Sequence, residues 1–127
     1  ENALLTGIRE GLFRLQKESA DGYGDRLWGN RGIHDDLTAS ALTISDGDQQ
    51  IVILACDLLA INELTLQRVI EKTTDNIMVC CSHTHSGPIV YADKRSSKKN
   101  RKYVDFLVSE LIEVIHEAQS QLHSSSF

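Results

Sequence analysis

The chain has 127 residues, 41% of them hydrophobic and 24% charged, which suits one soluble globular domain and excludes collagen-like and wholly disordered classes. Its longest apolar run, Ile51 to Cys56, is far short of the ~20 residues that cross a bilayer as a helix. The net charge of −5 argues against a nucleic-acid partner, yet six of the thirteen cations (Lys94, Arg95, Lys98, Lys99, Arg101 and Lys102) fall within nine residues that hold no acid. Such a run is ordinarily a solvated loop, and contact with phosphate or an anionic surface is the functional alternative.

In chain order, residues 3–19 place Leu4, Leu5, Ile8, Leu12 and Leu15 at three- and four-residue steps, the helical period, so a helix is expected there. Gly7 and Gly11 weaken it by about 1 kcal/mol each relative to Ala. Residues 21–32, rich in Gly, Asp and Asn, read as an irregular loop. Residues 37–45 and 50–57 are β-prone and flank Ser45-Asp46-Gly47-Asp48, which predicts a hairpin.

Asn62 is placed to cap a helix running to about Thr73, with Leu66, Val69 and Ile70 on its buried face. Residues 76–82 form a further short strand. Strand, helix and strand with short links predict a right-handed crossover onto a parallel pair. After Pro88 come the basic loop and an amphipathic helix over 100–122, whose inner face holds Tyr103, Phe106, Leu107, Leu111, Val114 and Ala118. Ser124-Ser125-Ser126 reads as a frayed or linker-like tail. The expected fold class is α/β: a partly parallel sheet with packed helices, a portion of a larger catalytic domain.

Cys56, Cys80 and Cys81 all lie in apolar stretches. An odd count without regular spacing is no disulfide framework, and buried thiols in a reducing compartment are the simpler account. With no secretory signal, this favours the cytoplasm, although a chain that opens on Glu1 can have been processed.

The sharpest chemical feature is Ser82-His83-Thr84-His85-Ser86-Gly87-Pro88, directly after the 76–82 strand. In extended backbone, residues two apart face the same way, so His83 and His85 can present two imidazoles to one point. Imidazole is the commonest metal ligand, and ligands in open α/β sheets gather beyond the carboxyl ends of strands. Gly87 and Pro88 are expected to turn the chain and hold this loop away from the sheet. Asp57, at the end of the neighbouring strand, is the nearby carboxylate, or else a cap for the following turn. Two histidines do not complete a catalytic zinc site, which takes three protein ligands.

These residues resemble the neutral/alkaline non-lysosomal ceramidases. Gly32-Ile33-His34-Asp35-Asp36-Leu37, Ala39-Ser40-Ala41-Leu42, Cys56-Asp57-Leu58-Leu59 and the 82–88 string occur in that family's order and approximate spacing, with Gly22-Tyr23-Gly24-Asp25-Arg26 agreeing less closely. The resemblance covers residues 22–122, the early part of the N-terminal catalytic domain, leaving 1–21 divergent and 123–127 as a tail.

The resemblance implies a zinc-dependent amidohydrolase that cleaves the N-acyl bond of ceramide, giving a sphingoid base and a fatty acid. His83 then matches the first zinc-ligand histidine. His85 matches its neighbour, a catalytic group and secondary ligand. Asp57 and His34 are supporting candidates, His34 being better explained by a hydrogen bond that pins the glycine-rich loop.

The family opens with a strand and an Asp-Ile-Thr-Pro-like string, which residues 1–19 do not show, and continues with glycines where this chain has Ile89-Val90-Tyr91. Its remaining ligands (a second histidine, a glutamate and a tyrosine) come from later in a far longer chain. This chain is therefore expected to be a piece of that domain or a shortened relative. A second copy or a missing remainder would supply what it lacks, for a lipid-like N-acyl substrate. His116 and His123 are expected to be exposed, and Tyr91 and Tyr103 to pack.

The competing reading is a non-catalytic module whose 94–102 loop touches anionic lipid or phosphate while the histidines are structural. A third, thiol–imidazole site from Cys80, Cys81, His83 and His85 is disfavoured by alternation, which points Cys80 away from the other three.

Overall fold

The hairpin between Leu37 and Cys56 is the centre of the fold in the computed structural model, which describes residues 4–13, 34–90 and 98–125. Its strands, β2 (Leu37–Ser45) and β3 (Gln50–Cys56), pair antiparallel from Ala39↔Cys56 to Ser45↔Gln50. Every second residue points inward, so Ala39, Ala41, Val52, Leu54 and Cys56 enter the core. The turn is built as its residues dictate: Asp46 Oδ1 accepts from the amides of Asp48 and Gln49, Ser45 Oγ accepts from Gly47 N, and Gly47 adopts φ +98°.

From β3 the chain crosses through α1 (Glu63–Ile70) to β4 (Ile77–Cys81), which lies parallel to β3 from Val52↔Ile77 to Cys56↔Cys81. The predicted crossover onto a parallel pair is present. Asn62 caps α1 by accepting from Thr65 N at 3.1 Å. Val69 is buried as expected and Leu66 and Ile70 are half-buried, while Thr65 is buried with its hydroxyl donating to Val90 O at 3.0 Å.

The second helix, α2 (Lys98–Ser120), buries Tyr103, Val104, Leu107, Val108, Leu111, Val114, Ile115 and Ala118. These positions recur at three and four residues, the inner face of an amphipathic helix. Phe106 is only half-buried.

Two expectations fail. Residues Leu4–Phe13 form a strand, β1, instead of the start of a helix; residues 14–19 lie outside the described ones. β1 pairs antiparallel with β2 from Leu5↔Ser45 to Phe13↔Leu37. At Gly7 the backbone of α2 comes so close that an added Cβ would stand 1.9 Å from Ala118 O. Tertiary neighbours distant in sequence override the leucine spacing here.

The tail is also ordered at its start. His123–Ser125 form β5, which pairs antiparallel with β1 through Thr6↔His123 to Leu4↔Ser125.

The result is a mixed α/β fold: one five-stranded sheet in the order β4-β3-β2-β1-β5, partly parallel, with helices packed against it. No described helix is long and apolar enough to cross a membrane. The 21–32 loop, Tyr91 and the basic residues before Lys98 lie outside the described residues.

Candidate functional site

The carboxyl ends of the parallel strands β3 and β4 carry the residues that the sequence singles out. Asp57 follows β3 directly, and its carboxylate accepts from the Thr38 amide at 3.1 Å and the Thr38 hydroxyl at 2.7 Å. Ser82, just after β4, is near enough to help lower the pKa of the same carboxylate. The ladder continues through this point, with Asp57 N donating to Thr38 O at 2.8 Å and Ser82 N to Cys56 O at 3.0 Å. One carboxylate thus ties the site ends of β2 and β3. The Thr38 hydrogen bonds hold its pKa below the ordinary carboxylate value, against a weaker upward push from burial.

Strand alternation stops at Cys81, and His83 takes a left-handed backbone with φ +60°. The two imidazoles still meet. Their ring centroids are 5.1 Å apart and the rings stand edge to face at 86°. The turn brings them together, not the pleat that the sequence suggested. His83 is exposed, with Nδ1 3.0 Å from the Leu59 carbonyl; His85 is half-buried. Because a carbonyl only accepts, Nδ1 of His83 carries the proton and its Nε2 lone pair is available.

Gly87 and Pro88 are both buried. The Cβ position at Gly87 stands 3.5 Å from Leu37 Cδ1 and 3.9 Å from Asp57 O. The loop therefore folds back onto the ends of β2 and β3, contrary to the expectation that it stands away from the sheet.

His34 is fully exposed. Its Nδ1 lies 2.6 Å from Asp35 Oδ2, and that hydrogen bond and charge raise its pKa. His116 and His123 are exposed as expected, bonded to the carbonyls of Lys72 and Gln121. Tyr103 packs in the core.

All three cysteines are free. Burial pushes the Cys56 thiol up to about 12 and raises Cys81 as well. Cys80, expected to be buried, is exposed because it points to the sheet face away from α1 and α2. It borders a cleft of about 260 Å³ with Thr38, Ser40, Ala55, Asp57 and Ser82. That cleft is not lined by His83 or His85. Sequence reasoning missed the carboxylate's partner Thr38, although the hairpin register, which sets Ala39 opposite Cys56, implies it.

The described residues do not form a complete metal site. Among them no three His, Cys, Asp or Glu side chains are grouped so as to hold a metal ion. The donor chemistry of His83 nevertheless fits one ligand: metal-bound histidines almost always donate their other ring N–H to a carboxylate, carbonyl or water, as Nδ1 does to Leu59 O here.

The architecture belongs to a recognisable fold class. The structure matches a neutral ceramidase from Pseudomonas aeruginosa with a TM-score of 0.79 and 21% identity over 98% of this chain. A second structure, of a ceramidase complexed with C2, matches with a TM-score of 0.67 and 20% identity over 98% of this chain. This chain spans 22% of the length of each. At such identities the likeness establishes a distant, ceramidase-like fold. No protein-family model and no curated protein matches the sequence.

Proposed function

We propose that this chain forms the first part of a zinc-dependent amidohydrolase site that cleaves the N-acyl bond of a ceramide-like lipid. The observation that supports it most is the His83–His85 pair at the carboxyl end of β4, with Nδ1 of His83 committed to Leu59 O. The match to ceramidase structures over 98% of the chain supports the same reading.

In this proposal His83 holds the metal through Nε2, and the Leu59 carbonyl fixes its tautomer. His85 accepts and returns a proton at a ring nitrogen, with secondary contact to the metal. Bound zinc supplies Lewis-acid polarisation of the amide carbonyl. Asp57 supports the site by holding the strand ends in register. His34, engaged with Asp35, is at most peripheral. Among the described residues two imidazoles leave the protein ligand set one short of the three that catalytic zinc takes, and in this reading a longer chain or a partner chain supplies the remaining donor. Alone, the chain is expected to bind zinc weakly and hydrolyse little.

A zinc titration followed by the imidazole proton resonances tests this. Zinc should perturb His83 and His85 before His34, His116 and His123, and His83→Ala should lower the affinity at least about tenfold. Equal perturbation of all five histidines, or unchanged affinity in His83→Ala, would overturn the proposal.

A further inference from the structure

The start of α2, whose cations the candidate site does not use, lies at the same end of the molecule as that site. Three contacts set the direction of α2: Arg68 donates to Asp105 at 2.8 Å, the His116 ring to the Lys72 carbonyl at 2.9 Å, and Gln119 to Gln50 Oε1 at 2.7 Å. Residue 119 therefore sits at the start of β3, and α2 runs parallel to α1. Residues 98–102 consequently lie toward the carboxyl ends of β3 and β4, where Asp57, His83 and His85 are.

Lys98, Arg101 and Lys102 are exposed there, and none forms an ion pair with a described residue. The first turn of α2 contains no acid. Cations in that turn face the positive end of the helix dipole and weaken the helix. Helix stability does not account for their placement.

Acids are present at this end as well: Asp105 pairs with Arg68 and Asp35 with His34, while Asp36, Asp57 and Glu63 carry negative charge at the same end as Lys98, Lys99, Arg101 and Lys102.

We propose that this end of the molecule docks on an anionic lipid surface through Lys98, Arg101 and Lys102, turning the His83–His85 loop toward the bilayer. The docking stands on charge and topology; only the statement that a membrane lipid is thereby brought to the site rests on the function proposed above. Three exposed cations spread over the first turns of a helix match a surface carrying many separated charges. A single small phosphate is instead held by converging donors. The net charge of −5 disfavours a nucleic-acid partner and lets one basic end orient the molecule.

Co-sedimentation of the 127-residue chain with vesicles tests the proposal. Vesicles of phosphatidylcholine containing about 30% phosphatidylserine should bind at least about tenfold more tightly than phosphatidylcholine alone. Raising salt from about 0.05 to about 0.5 M should abolish most of that difference. The triple variant Lys98→Gln, Arg101→Gln, Lys102→Gln should lose on the order of 100-fold in affinity while keeping the wild-type circular dichroism spectrum.

The double variant His83→Ala, His85→Ala should bind these vesicles as the wild type does, so failure of the zinc reading would leave docking intact. Equal or absent binding to both vesicle types would overturn the proposal. So would retention of anionic binding by the triple variant, or complete competition by millimolar inorganic phosphate at constant ionic strength, which would mark a small-anion site instead.

Discussion

Asp57 links the ends of β2 and β3 through one side chain, and the sign of its pKa shift makes the link measurable. Its folded pKa lies below the ordinary value, so its contribution is complete above that ordinary value, about 3.9. It is lost as pH falls through the depressed folded value. Asp57→Asn keeps an acceptor but removes the charge. The variant should be less stable by about 1 kcal/mol at pH 7, a figure already reduced for partial solvent exposure. Urea denaturation at successively lower pH should show the gap to wild type closing below pH ~3.9. The sequence places Asp57 at a strand end, and the hairpin register makes Thr38 its neighbour. The role of the Leu59 carbonyl as acceptor for His83 was not legible, because it depends on how the 58–62 link returns past the 82–88 turn.

At the scale of elements, the parts with local signals are the parts the sequence reveals. Asp46 and Gly47 mark the hairpin turn, Asn62 marks the start of α1, and the spacing of Tyr103, Leu107, Leu111, Val114 and Ala118 marks α2. β1 has no such local determinant. Leu4, Leu5, Ile8 and Leu12 suit a helix as well as a strand, and the choice is made by β2, β5 and α2, which follow much later in the chain. Gly7 was the available clue. Its lack of a Cβ is what lets α2 approach, so Gly7→Ala should destabilise by about 3 kcal/mol through a forced shift of backbone against backbone. Chemical denaturation measures this; a loss below about 0.5 kcal/mol would mean that β1 and α2 separate easily.

For the molecule as a whole, the helices account for one face of the sheet. The opposite face carries Leu42, Ile44, Ile51 and Ile53, half-buried, and Met78, 53% exposed. Leu42, Ile53 and Met78 lie side by side across β2, β3 and β4, so an apolar row crosses the sheet. Met78→Lys should leave stability within about 0.5 kcal/mol of wild type, since the side chain is already largely in water. The same variant should reduce binding of a hydrophobic fluorescent dye, because a charge interrupts the row. At this scale the sequence conveys the α/β class and the end of the sheet where the histidines gather. It does not convey a complete metal centre, because the described residues bring only two imidazoles together.

The left-handed backbone at His83 has a consequence for how this chain can diverge. Glycine and asparagine adopt φ +60° more readily than histidine does, so the loop at that position would accept either with little strain. Relief on the order of 1 kcal/mol is comparable to the hydrogen bond to Leu59 that such a change would remove. Folding therefore exerts almost no pull toward histidine at position 83. A lineage whose chemistry had lapsed would be free to drift to glycine or asparagine there while keeping the sheet, and the imidazole would be among the first features erased.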